Sequence, residues 1–138
     1  MAGRYYITTP IYYVNAPPHL GHAYTTIVAD VLNRFHMLTG KKTYFLTGTD
    51  EHGDKVVEAA AAAGKSAQDY VDQISELFRQ TWPNLNISND YFIRTTDELH
   101  KRVVRYILQQ VYDQAAPSGM PIAADAATWN PNRSRKNK

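Results

Sequence analysis

An α/β fold is predicted for this chain of 138 residues: half of a doubly wound domain, three-layered, with a parallel sheet and helices on its faces. Two observations predict it. Strand-like and helix-like stretches follow one another in the order β, α, β, α, α, β, α, and such alternation implies parallel strands joined by right-handed crossovers. Apolar residues make up 43% of the chain and charged residues 20%, close to the globular average, so the bulk of it should bury a core.

Each element has its own signal. Tyr5 to Thr9 is rich in β-formers and stops at Pro10, as expected of a strand entering a loop, here one that continues through Asn15, Pro17 and Pro18. From Leu20 onward apolar residues recur at Ala23, Ile27, Val31, Leu32, Phe35 and Leu38, the three-and-four spacing of an amphipathic helix, with Gly40 where a left-handed cap belongs. Thr43 to Thr47 is strand-like, and Gly48 to Gly53 (GTDEHG) is a polar, turn-rich loop. Asp54 to Ala63 is Ala-rich and helical, stopped by Gly64. Ser66 with Asp69 forms a capping signature before a helix carrying Tyr70, Val71, Ile74, Leu77 and Phe78. Trp82, Leu85 and Ile87 should pack on the body, and Tyr91 to Arg94 is a third short strand. Thr96 should cap a last helix with Leu99, Val103, Ile107 and Val111 inward. Periodicity ends near Asp113.

The formal charge is +2, from 15 Lys and Arg against 13 Asp and Glu. Four of the cations (Arg133, Arg135, Lys136 and Lys138) against one acid, Asp125, fall in residues 115–138, a stretch with three prolines that is expected to be disordered or loosely attached. The basic excess therefore belongs to a tail and not to a folded face, which argues against nucleic-acid binding through a basic patch. There is no cysteine, which excludes disulfides, cysteine nucleophiles and thiolate zinc sites within these residues. The longest apolar runs are far short of a bilayer span, and no secretory leader pattern is present, so a cytoplasmic location is expected and no membrane partner.

In sheets of this kind ligands bind beyond the carboxyl ends of the strands, which directs attention to the loops after the first and second strands. The first, PIYYVNAPPHLGH, delivers His19, Gly21 and His22 to the start of the long helix, where free N–H groups and the positive dipole end attract phosphate. Imidazoles three residues apart share a helical face and can donate to the same anion, while Gly21 allows a flat ring or a phosphate close to the backbone. The alternative is that His19 caps the helix and His22 packs. The second loop places Asp50, Glu51 and His52 beside the first. There a carboxylate could receive an ammonium group, although Glu51 and Asp54 could equally serve as first-turn acids of the next helix. Tyr12, Tyr13 and Tyr24 could form an apolar pocket with polar tips. A metal-dependent hydrolase using His19, His22, Asp50 and His52 as ligands is a further alternative, although no metal site is assigned.

The stretch TTPIYYVNAPPHLGHAYTT followed by FLTGTDEHG, with HKRVVRYILQQVYD near its end, resembles the start of the methionyl-tRNA synthetase family of class I aminoacyl-tRNA ligases, over about residues 4 to 114. The family's HIGH signature is present as His19, Leu20, Gly21 and His22. The resemblance implies the amino-terminal half of a Rossmann-like, HIGH-type nucleotide-binding domain in residues 1–114, with 115–138 unrelated to the family. It implies that His19, Gly21 and His22 cradle ATP, with the two histidines catalytic. Asp50 would pair with the ammonium of L-methionine, and Ile11 and Tyr13 would belong to the thioether pocket, with Asn15 between these groups. The implied activity is ATP-dependent formation of methionyl-adenylate, with Mg²⁺ accompanying ATP, and transfer of methionine to tRNA(Met). The family's cysteine zinc site, its second Rossmann half and its anticodon-binding domain have no counterpart here, so the chain alone is expected to be inactive or nearly so. An apolar edge or face should also be left open to association. Another HIGH-type nucleotidyltransferase and a non-catalytic fragment or binding module are the competing readings.

Overall fold

The computed structural model describes residues 3–115. The described residues divide into two units, one ending at Lys101 and the other beginning at Arg102. The expected tail at 115–138 lies, from residue 116 on, outside the described residues.

In the first unit β1 (Arg4–Thr8), β2 (Tyr12–Tyr13), β3 (Lys42–Asp50) and β4 (Tyr91–Arg94) make an all-parallel sheet. β3 is central. Thr49 faces Tyr12 on one side and Arg94 on the other, and Leu46 likewise lies between Thr8 and Tyr91, so β1 and β2 share one edge of β3 while β4 takes the other. β2 was not expected as a strand. The ladder ends with the Thr9 N–H donating to the Leu46 carbonyl at 3.1 Å; Pro10 then offers no N–H, and pairing resumes two residues later at Tyr12. Gly48 permits the close approach of β4, because a Cβ there would meet the Ile93 carbonyl oxygen at 2.0 Å. Asp90 ties in the start of β4, accepting from the Phe45 N–H at 2.7 Å and returning its own N–H to the Phe45 carbonyl at 2.9 Å.

Helices α1 (Leu20–Leu38), α2 (Asp54–Ala62) and α3 (Ala67–Asn84) fill the crossovers. Tyr12 reaches Thr26 of α1 through its hydroxyl and stacks on Phe78 of α3, so both long helices stand on the same face of the sheet. That is the outcome for strands advancing in one direction through right-handed crossovers. Phe45, Thr47 and Thr49 alternate onto this covered face and are buried; Tyr6, Tyr13 and Tyr44 lie on the other and are exposed. The apolar core gathers Tyr12, Val14, Val56, Val71, Ile74, Phe78 and Trp82.

The caps are largely those the residues announce. Ser66 Oγ accepts from the Asp69 N–H at 3.1 Å to start α3, Asp54 occupies the first turn of α2, and Gly64 takes φ 64° after it. α3 runs further than the spacing suggests, through Trp82 and Pro83 to Asn84, because Trp82 is itself a core residue. The last helix begins at Glu98, two residues after Thr96, whose hydroxyl donates to Glu51. The greatest departure is in α1. Its buried residues are Thr26, Ala29, Asp30 and Asn33, while the apolar stripe Ile27, Val31, Leu32, Phe35 and Leu38 is exposed.

α4 (Glu98–Ala115) starts in the first unit, and its residues 102–115 are the described part of the second. Leu99, Val103, Ile107 and Val111, expected inward, are exposed among the described residues. No described helix is long and apolar enough to cross a membrane.

Candidate functional site

At the amino end of α1 the two histidines close a reciprocal cap. The Gly21 N–H donates to His19 Nδ1 at 3.0 Å, and the His19 N–H donates to His22 Nδ1 at 3.2 Å. Two of the N–H groups expected to be free for phosphate are thus held by imidazoles. The reading in which His19 caps and His22 packs is borne out as geometry. It does not exhaust these rings, however. With Nδ1 accepting in both, each neutral ring carries its proton on Nε2, and neither Nε2 has a hydrogen-bond partner among the described residues. The rings stack with centroids 3.8 Å apart. The flat group that Gly21 admits is the His19 imidazole, since a Cβ at Gly21 would meet His19 Cε1 at 2.9 Å.

His22 is the more enclosed ring. It lies 4.7 Å from Tyr12 and 5.0 Å from Phe78 by ring centroids, and removal from water, followed by the neighbouring His19, holds its pKa below the usual 6.5. Its carbonyl accepts from Thr26 Oγ1 at 2.9 Å, and the Tyr12 hydroxyl lies 2.9 Å from the same Thr26 oxygen.

The second loop separates its two acids. Asp50, the last residue of β3, pairs in register with Tyr13, and its carboxylate accepts only a long 3.5 Å bond from the His52 N–H among the described residues. It remains able to receive a cation. Glu51 is buried and fully used: Arg94 Nε and Nη2 donate to its two oxygens at 2.7 and 2.8 Å, and the hydroxyls of Thr49 and Thr96 donate as well. Burial alone would raise the Glu51 carboxyl; the donors from Arg94, Thr96, Thr49 and Ser75 overcome it and leave the group below its ordinary value. Arg94 also binds Asp72 of α3, and these carboxylates raise its pKa. Glu51 is therefore neither a first-turn acid nor an open carboxylate. Sequence reasoning missed Arg94 here, and the one available signal was a cation ending a strand beside a loop that carries two acids.

The predicted residues are only partly brought together. His19 and His22 touch, Tyr13 adjoins Asp50, and the two groups are linked through β2, whose Tyr12 contacts His22. Ile11 and Tyr13 are exposed. Tyr12, Tyr13 and Tyr24 do not form a shared pocket: Tyr12 is buried under the helices, and Tyr24 is 73% exposed. The Asn15 carbonyl accepts from the Tyr70 hydroxyl at 3.0 Å. His52 Nε2 lies 3.4 Å from the Thr95 carbonyl and borders a separate cavity of about 170 Å³, lined by Val56, Gln68 and Val71 among others. No three His, Cys, Asp or Glu residues are grouped to hold a metal among the described residues, so the four-ligand alternative finds no support.

This site stands within a sequence whose relatives are well defined. The profile of the family described as tRNA synthetases class I (M) matches residues 5–118. The chain belongs to the class I methionyl-tRNA synthetase family. It is 57% identical over 102 residues to the methionine–tRNA ligase of Thermotoga maritima, covering 74% of this chain and 16% of that protein. To the ligase of Mycoplasma pneumoniae it is 51% identical over 111 residues, covering 80% and 22%. Among solved structures, Mycobacterium tuberculosis methionyl-tRNA synthetase in complex with methionyl-adenylate superposes with a TM-score of 0.70 at 51% identity, covering 71% of this chain and 19% of that one. The chain spans about a fifth of the length of these synthetases. The α/β, Rossmann-like fold class agrees with this likeness.

Proposed function

We propose that this chain contributes the HIGH-motif half of a methionine–tRNA ligase active site, binding ATP at the start of α1 and L-methionine beside Asp50. The observation that carries the reading is the reciprocal histidine cap, which leaves two Nε2–H donors beyond the carboxyl end of the sheet, in a chain half identical to a protein solved with methionyl-adenylate.

In the proposed reaction a methionine carboxylate oxygen attacks the α-phosphorus of ATP, the bond to the bridging oxygen breaks, and pyrophosphate leaves. A ribose hydroxyl of the terminal adenosine of tRNA(Met) then attacks the methionyl carbonyl, the acyl–phosphate bond breaks, and AMP leaves. His19 and His22 donate through Nε2–H to phosphate oxygens, and Gly21 keeps the His19 ring flat against the helix end. Asp50 accepts the substrate ammonium, and the exposed Ile11 and Tyr13 line the thioether. Donors aimed at phosphate oxygens stabilise charge as it shifts toward the leaving group, and holding the reactants in line supplies much of the remaining acceleration. Mg²⁺ bound to ATP would add charge neutralisation at the same oxygens. This sequence has no cysteine with which to build a thiolate zinc site. We assign the chain to the cytoplasm by family habit, and expect the 138 residues alone to bind substrates while turning them over little or not at all.

Thermal denaturation of the chain with a panel of amino acids, with and without Mg·ATP, tests the assignment. Stabilisation by methionine with ATP, lost in Asp50→Asn, is expected. Stabilisation by a nicotinate- or pantetheine-type substrate and none by methionine would shift the assignment to another HIGH-type nucleotidyltransferase. Methionine-dependent pyrophosphate exchange at the rate of a full-length synthetase would refute the expectation of low activity.

A further inference from the structure

The ring of His22 is bounded by protein on several sides. His19 stacks on one face at 3.8 Å, Tyr12 is tilted against it at 4.7 Å, and Phe78 meets it edge-on at 5.0 Å with planes at 63°. Nδ1 is fixed by the His19 N–H, so Nε2, across the ring, faces away from the cap. His22 is half-buried, and its Nε2 has no hydrogen-bond partner among the described residues. Phe78 is itself fully buried, nearly parallel to Tyr12 at 5.7 Å and edge-on to Trp82 at 6.0 Å.

We infer that Phe78 of α3, together with Tyr12 of β2, is a positioning residue for the HIGH-motif histidine, walling the His22 imidazole so that a single ring orientation presents Nε2–H outward to a nucleotide phosphate. The inference rests on the nucleotide-binding reading given above and assigns a role within it to a helix that carries none of the motif. A ring turned over about its terminal torsion would lose its Nδ1 cap, and a ring swung outward would leave Phe78 facing water. The wall and the cap therefore select the same state and remove the ordering cost before ligand arrives. The Tyr12 hydroxyl acts separately. Thr26 Oγ1–H donates to the His22 carbonyl, leaving the Thr26 oxygen to accept from Tyr12, which pins the backbone of the first turn. An apolar wall also opposes protonation of the ring, in line with the lowered pKa of His22. His19 is the titratable neighbour in contact. From α3, Asp72 is engaged by Arg94 and Glu76 by Gln80, and β2 presents only the Tyr12 ring.

Side-chain nitrogen NMR of the 138-residue chain tests this, comparing the wild type with Phe78→Leu and Tyr12→Phe and adding Mg·ATP as the probe. In the wild type His22 should show the Nε2–H tautomer and a midpoint below 6.5. Phe78→Leu should move that midpoint toward 6.5 and weaken Mg·ATP binding several-fold, whereas Tyr12→Phe, which keeps the ring, should leave the midpoint in place. A loss of stability alone would not displace one histidine's midpoint while its neighbours hold theirs. An Nδ1–H tautomer or an ordinary midpoint for His22 in the wild type overturns the inference whether or not any variant folds, as does a folded Phe78→Leu with both readouts unchanged. A walled Nε2–H ring in a wild-type chain that shows no response to Mg·ATP would support the ring placement and defeat the nucleotide-binding reading.

Discussion

The two long helices stand on the same face of one sheet and are built in opposite senses. α3 turns Val71, Ile74, Phe78 and Trp82 inward and is complete as an amphipathic helix. α1 turns Thr26, Asp30 and Asn33 inward and leaves Ile27, Val28, Val31, Leu32, Phe35 and Leu38 exposed. The inner side of α1 is held by polar bonds. Asp30 accepts from the Ser88 N–H at 2.7 Å, from its hydroxyl at 2.6 Å and from Arg34 Nε at 2.6 Å. Burial by itself would raise the Asp30 carboxyl, and these donors leave it lowered instead. The difference teaches that α3 anchors the fold, whereas α1 carries the histidine cap and an outer apolar stripe that is exposed among the described residues.

The sharpest way to break this contrast is to delete equivalent bulk from each helix. Trp82→Ala in α3 is expected to cost about 3–5 kcal/mol in denaturant unfolding. Phe35→Ser in α1 should change stability by less than about 0.5 kcal/mol. Equal costs would mean that the α1 stripe is already packed. Next in size is the polar anchor of α3. Glu51→Gln removes a charged acceptor from Arg94 and should cost about 1.5–3 kcal/mol.

The same pair sets a pH dependence. The folded Glu51 carboxyl lies below its ordinary 4.5, so its contribution is full above that value and disappears as the pH falls through the folded value. His22 adds a second loss beginning higher. Its folded value lies below 6.5, so as the pH drops past 6.5 the unfolded chain takes up the proton first and stability declines. Thermal unfolding between pH 7 and 3 should show both losses in the wild type, with the lower one weakened in Glu51→Gln.

Much of this was legible in the chain. Strand and helix order followed from alternation and from Pro and Gly punctuation, and the Ser66 cap from its spacing to Asp69. What stayed hidden was set by contacts distant in sequence. The spacing of Ile27, Val31 and Phe35 correctly announces a helix with an apolar side. No local rule reveals that this side faces out, because Asp30 earns its burial from Ser88, and Glu51 from Arg94 beyond an intervening pair of helices. The site divides in the same way. His19, Gly21, His22 and Asp50 stand out as candidates from their place after strands, whereas the reciprocal cap and the packing of Tyr12 and Phe78 on His22 follow no local pattern.

Smaller effects sharpen the picture of α1. Asp30→Asn should cost about 1 kcal/mol, since an amide can still accept from Ser88 while losing the Arg34 charge pair. Val31→Glu on the exposed stripe should leave the melting temperature nearly unchanged and reduce self-association in sedimentation velocity. Undiminished association would move the sticky surface elsewhere, with the bare sheet face around Tyr6 and Tyr44 the next region to alter.

The central claim is that the histidine cap and Asp50 receive one adenylated amino acid between them. Amide chemical-shift mapping of the 138-residue chain with a non-hydrolysable methionyl-adenylate analogue tests it most directly. Perturbations concentrated at Tyr13, His19, Gly21, His22 and Asp50 are predicted. Perturbations centred instead on the His52, Val56 and Gln68 cavity, with the start of α1 silent, would contradict the account.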